Sequence, residues 1–132
     1  MLFAEALEKA SSYAAVWSSN DPMQVAAHYA ENGVARLNSG NAIQGRAAIA
    51  SDYAKPFFRD FPKSSVLQHD FRISGNHALF TGMLVGPGRP EEAPIRLLEW
   101  EEWTLDDNGL IQLSLVWFDR EDHARQGGSA FS

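Results

Sequence analysis

The stretch IRLLEWEEWTLDDNGLIQLSLVWFD, residues 95–119, decides how the rest of the chain is read. Two runs rich in Leu, Ile, Val, Trp and Phe flank Asp106-Asp107-Asn108-Gly109, and Asn-Gly between such runs is a strong hairpin signal. Alternation puts Ile95, Leu97, Glu99, Glu101 and Trp103 on one face of the first strand, with Arg96, Leu98, Trp100 and Glu102 on the other. On the second strand Gln112, Ser114, Val116 and Phe118 share the first face, and Ile111, Leu113, Leu115 and Trp117 take the second. Neither face is polar. One must meet the rest of the chain, and the other is apolar enough to require cover from outside it.

Working outward, residues 3–18 carry Phe3, Leu7, Ala10, Tyr13, Ala14 and Trp17 at spacings of three and four, the mark of an amphipathic helix. Asn20 or Asp21 then caps a second helix, with Pro22 in its first turn, running to about Ala30 on an apolar side of Met23, Ala26 and Ala27. Glu31-Asn32-Gly33 turns into a short strand, Val34 to Leu37, and Asn38-Ser39-Gly40-Asn41 turns again. After Gly45 comes a third helix burying Ala47, Ala48, Ile49, Tyr53 and Phe57, ended or kinked by Pro56. Beyond Phe61-Pro62 the period changes to two. Strands are expected at 65–74 and 77–85, then a loop at 86–94, the long hairpin, and a helical turn from Asp119 to Arg125. Helices followed by strands predict an α+β fold, with helices on one face of a curved, mostly antiparallel sheet. Residues 1–126 make one domain in this reading and 127–132 a flexible tail.

Composition narrows the function. The chain has 132 residues and a net charge of −6, with its basic residues scattered, which argues against nucleic acid as a partner. It contains no cysteine, which excludes disulfides and thiol chemistry. Glu5 and Glu8 interrupt the apolar N-terminus and no run approaches the ~20 apolar residues of a membrane span, so a cytoplasmic protein with no membrane contact is expected. None of the four histidines has HxH or HExxH spacing, so neither metal nor cofactor is called for.

The segments YAAVWSSNDPMQVAAHYAENGVARLN (13–38), IQGRAAI (43–49) and the terminal hairpin with WTLDDNG resemble the NTF2-like superfamily, which includes ketosteroid isomerases and SnoaL-like polyketide cyclases. The resemblance covers nearly the whole chain. It implies a cone whose three N-terminal helices close a curved sheet over a pocket for a small hydrophobic molecule. Many proteins of this kind are dimers through the sheet, and the apolar outer face of Leu98, Trp100, Leu113, Leu115 and Trp117, read from side-chain alternation, predicts a homodimer there. Tyr13 falls where the isomerases have the tyrosine that donates to the substrate oxyanion, and Glu101 near their protonated acid. The isomerase base would lie at Leu37, or at Asn38 with a one-residue slip, and neither accepts a carbon acid's proton. In limonene-epoxide-hydrolase-like relatives one aspartate would stand at Val116.

Cyclase-like chemistry needs one pocket carboxylate or histidine, and His69, Asp70, Glu99 and Asp119 are candidates. Of the adjacent pair, His69 shares its side with Phe71 and Ile73 and is the one expected to look inward. The catalytic set is therefore Tyr13, Glu101 and His69, within a ligand-binding wall of Trp17, Leu37, Tyr53, Phe57, Glu99, Trp103, Ser114, Val116 and Phe118. Each residue also has a purely structural reading: Tyr13 as a core tyrosine, Glu101 as a partner of Arg36, Arg72 or Arg96, and the rings as a filled core. An isomerase- or cyclase-like enzyme and a non-catalytic, dimeric ligand-binding or accessory domain both remain open.

Overall fold

A computed structural model describes residues 3–88 and 93–129. Residues 89–92 of the expected loop and 130–132 of the expected tail lie outside the described residues. The order is α1 (Phe3–Trp17), α2 (Pro22–Ala26), β1 (Tyr29–Leu37), β2 (Ile43–Gln44), α3 (Arg46–Ala48), a π-helical turn (Ile49–Ala54) and α4 (Lys55–Asp60). The chain continues with β3 (Ser65–Ser74), β4 (His77–Gly86), β5 (Ile95–Leu105), β6 (Ile111–Phe118) and α5 (Arg120–Arg125). The six strands form one sheet in the order β2-β1-β6-β5-β4-β3. Only β1 and β6 run parallel; the other neighbours are antiparallel.

The α+β expectation holds, and the hairpin is the centre of the sheet. In the turn, the Asp106 carboxylate accepts from Asn108 N and Leu110 N, both at 2.9 Å, while Gly109 takes φ 77°, a conformation that favours glycine. On β5 burial alternates strictly from Ile95 to Trp103, odd positions in and even positions out. On β6, Ser114, Val116 and Phe118 are buried as expected, but so is Ile111, which was expected on the outer face. A register shift between Thr104 and Leu105 turns Ile111 inward, and local alternation carries no sign of it.

Two helix readings change. On α1 the buried stripe is Ala6, Ala10, Tyr13, Ala14 and Trp17, while Leu7 lies exposed one position off it. The second helix stops at Ala26, with Asp21 capping Met23 N at 3.0 Å, and Met23 faces solvent. Tyr29 and Ala30 instead open β1, because Tyr29 pairs with Ile111 and His28 O accepts from Ile111 N at 2.9 Å. A distant parallel strand decides that boundary. Between Tyr29 and Val34 the strand bulges, and at Gly33 a Cβ would stand 2.7 Å from Ile111 O, so only glycine allows this approach.

The expected third helix runs from Arg46 to Asp60, with its middle widened into the π turn. Lys55 N–H reaches back five residues to Ala50 O just before Pro56, which has no N–H to give. The helix passes Pro56 rather than ending there. Among the described residues no helix is long and apolar enough to cross a membrane.

Candidate functional site

Glu101 is fully buried at the middle of β5, and three donors converge on its Oε1. Tyr13 OH donates at 3.0 Å, Trp103 Nε1 at 2.9 Å and Ser114 Oγ at 2.9 Å. The fold supplies each in turn. Trp103 is two residues on along the same strand face, Ser114 lies opposite Trp103 on β6, and Tyr13 descends from the buried stripe of α1. Tyr29 OH stands 3.3 Å from Tyr13 OH and completes the cluster. Its part was not legible in the sequence, where it read as the end of a helix.

Indole N–H can only donate, so Oε1 is an acceptor, and three donors on one oxygen suit a carboxylate. Burial pushes the Glu101 carboxyl above the ordinary range, while hydrogen bonds from Trp103, Ser114 and Tyr13 oppose that rise. For Glu99, burial and then the charge of Glu101 push the same way, and its carboxyl lies well above 4.5. Both carboxyls are thus raised, and the donors on Oε1 oppose the rise at Glu101 while none of the causes at Glu99 does. Burial and then the Glu101 charge raise Tyr13 well above 10.0, so it stays a neutral donor. Glu101 was expected to be desolvated near Tyr13 with a raised pKa, and burial does raise it, with Tyr13 OH in contact. Among the described ion pairs, Arg72 meets Asp70, and neither Glu99 nor Glu101 takes part in one.

Other buried groups face the same region. Trp17 Nε1, Tyr53 OH, Glu99 Oε1 and Glu101 Oε2 are buried without a hydrogen-bond partner in the protein, and such groups are uncommon in a folded interior. Trp17, Tyr53, Phe57, Leu97 and Glu99 line a cavity of about 10 Å³, with Val66 and Leu84 behind, which gives room for about one water. The rings around it pack closely: Trp17 lies 5.2 Å from Tyr53 and 6.0 Å from Phe57, and Phe57 lies 5.5 Å from Phe118.

Of the expected wall, Trp17, Tyr53, Phe57 and Glu99 border this chamber, and Trp103 and Ser114 hold Glu101. Val116 is buried opposite Glu101. Leu37 and Phe118 line a separate surface recess of about 310 Å³ with Asn38 and Arg120. Asn38 Oδ1 accepts from Phe118 N at 3.0 Å, so that side chain is committed to the sheet. His69 does not join the site. A register shift between Gln68 and Asp70 makes it the extra residue of a bulge, and it is exposed while Phe71 is buried. Asp70 is exposed and bonded to Phe71 N, and Asp119 caps α5 through Asp122 N at 3.0 Å.

Residues 10–113 match the model of the SnoaL-like domain. The chain belongs to the SnoaL-like family. No curated protein matches it by sequence. Among solved structures it is similar to a protein of Catenulispora acidiphila DSM 44928 with a ketosteroid isomerase-like fold, solved in complex with trimethylamine. The TM-score is 0.79 and the identity 16%, over 93% of this chain and 95% of that one. It is similar also to SalBIII, an epoxide hydrolase/cyclase-like enzyme of pyran ring formation in salinomycin, with TM-score 0.75 and 14% identity over 90% and 94% of the chains. A third is TerC, co-crystallised with polyporic acid, with TM-score 0.75 and 14% identity over 94% and 98%. At these identities the likeness concerns the fold, and this SnoaL-like chain keeps the helix-covered, curved sheet of the NTF2-like cone.

Proposed function

We propose that this SnoaL-like protein binds a small hydrophobic molecule between α1, the π-helical turn and the inner face of β5, and transfers protons on it with Glu101 as base and Glu99 as acid. The observation that carries this reading is the three-donor clamp on Glu101 Oε1 beside a second buried carboxyl with no basic partner. The clamp fixes the carboxylate and leaves Oε2 uncommitted. Oε2 would take a proton from carbon beside a carbonyl, and the Glu99 proton would pass to the carbonyl oxygen, giving the enol. Reversal at another carbon isomerises; attack of the enol carbon on a neighbouring electrophilic carbon, with return of the enol proton to Glu99, cyclises. The chamber is small, so a ligand larger than water enters by displacing the π-helical turn that carries Tyr53, a kind of helix irregularity often found at functional sites.

Deuterium exchange into cyclic ketones tests the proposal. The wild type is expected to exchange the position beside the carbonyl, and Glu101→Gln to slow this by roughly 10²–10⁴-fold. Binding of those ketones with no exchange in the wild type would favour the non-catalytic reading.

The reading includes a homodimer through the outer sheet face. Leu98 is 49% and Trp100 40% exposed, and Trp100 sits opposite Trp117 across the hairpin, beside Leu113 and Leu115. Sedimentation at low micromolar concentration is expected to give a dimer, and Trp100→Glu a folded monomer. A wild-type monomer would remove the dimer from the account.

A further inference from the structure

A second cavity, of about 190 Å³, opens at the other end of Tyr13 and Trp103, between α1, the corner after α2 and the β5–β6 turn. Phe71, Trp103, Leu105, Leu110 and Ile111 give it an apolar wall, and Lys9, Ser12 and His28 are its polar groups. The arrangement of those three goes beyond a polar rim. His28 Nδ1 lies 3.0 Å from Gln24 O, an oxygen that can only accept, so Nδ1 carries the proton of the neutral ring. Nε2 is then a bare acceptor, and Ser12 Oγ, 2.9 Å away, donates to it. Burial, opposed by the hydrogen bond to Gln24 O and joined by the charge of Lys9, lowers His28 below 6.5, which keeps the ring neutral at physiological pH. Ser12 is exposed and open to a reactant. A hydroxyl on a histidine whose other nitrogen is fixed by a third group is the arrangement that activates serine nucleophiles.

We propose that Ser12, with His28 as its base, is the nucleophile of a second site that takes small, uncharged carboxylic esters. An apolar cavity of about 150 Å³ accommodates benzene, so this one suits an acyl group up to about one ring. Ser12 Oγ adds to the ester carbonyl as its proton moves to His28 Nε2. Lys9, one turn earlier on α1, supplies the positive charge for the oxyanion. The adduct collapses, the bond to the alcohol oxygen breaks, and that oxygen takes the proton from Nε2. Water, deprotonated by the same nitrogen, then adds to the acyl carbonyl, and the bond to Ser12 Oγ breaks to free the carboxylic acid as Oγ takes the proton back from Nε2. The titratable groups facing His28 are Lys9 and Tyr13 of α1, the latter with its ring 5.8 Å away; the turn presents only Gly109, Leu110 and Ile111 to the cavity.

p-Nitrophenyl butyrate is the probe, with p-nitrophenolate release followed by absorbance and the acylated residue located by peptide mass mapping. The butyryl group is expected on Ser12, lost in Ser12→Ala, unchanged in Ser11→Ala, and formed roughly 10²-fold more slowly in His28→Gln. Butyryl groups spread over Lys9, Ser11 and other surface nucleophiles, or equal Ser12 acylation in His28→Gln, would overturn the proposal. Should His28→Gln not fold, the wild-type pH profile decides. A rate that rises through a pKa below 6.5 and then levels off supports His28 as base, and one that keeps climbing into the lysine range contradicts it.

Discussion

Glu101→Ala unfolds at least about 3 kcal/mol more easily than the wild type. The substitution strands Tyr13 OH, Trp103 Nε1 and Ser114 Oγ around an emptied acceptor site, and each buried donor left unpaired costs about 1–3 kcal/mol. Removing the carboxylate also relieves Glu99 of a neighbouring charge, which offsets part of the loss. Glu101→Gln keeps an oxygen for the three donors and forfeits only the charge-assisted part of the hydrogen bonds, so it costs less than half as much. Urea unfolding at neutral pH measures both. Equal, small losses in the two variants would mean that the donors find other partners and that the clamp is incidental.

Glu99→Gln moves stability the other way. A carboxyl held above its ordinary 4.5 in the fold contributes its full stability below pH 4.5, where folded and unfolded chains are both protonated. As pH rises past 4.5 the unfolded chain ionises first, and the fold loses stability until the pH passes the raised pKa. A glutamine cannot ionise, so the variant escapes that loss. It is expected to match the wild type near pH 4 and to exceed it near pH 8 by about 1.4 kcal/mol for every unit by which the fold raises Glu99. The same variant cannot give up a proton, so ketone exchange falls as it does in Glu101→Gln. Stability gained with activity lost is the trade expected of a residue kept for chemistry. Chemical denaturation from pH 4 to 8 reads the first half, and a variant less stable than wild type at pH 8 would contradict it.

How much of this was legible in the residues depended on distance along the chain. The face of β5 that carries Glu99, Glu101 and Trp103 follows from alternation alone, and the meeting of Tyr13 with Glu101 follows from a helical stripe and a family resemblance. What the sequence could not show came from partners far away. Tyr29 leaves a helix for a strand because Ile111 waits beside it, and Ile111 turns inward because of a register shift one residue before the turn. His69 sits in an alternating run that promised an inward side chain, and an unsignalled bulge put it in solvent. The convergence of three donors on one oxygen of Glu101 was beyond reach for another reason: Ser114 comes from a different strand and Tyr13 from a helix 88 residues away. The pairing of His28 left no mark in the sequence because its two partners, Ser12 and Gln24 O, are a side chain sixteen residues away and a backbone atom.

The proposed chemistry needs one proton shared by two buried carboxyls, with Glu99 holding it. Carbon-13 NMR of the glutamate side-chain carboxyls, titrated through the acid and neutral range, observes that proton directly. One resonance is predicted to stay at the protonated-acid position well above pH 4.5, and to be missing from Glu99→Gln. A wild-type spectrum in which every glutamate carboxyl ionises together near 4.5 would contradict the account.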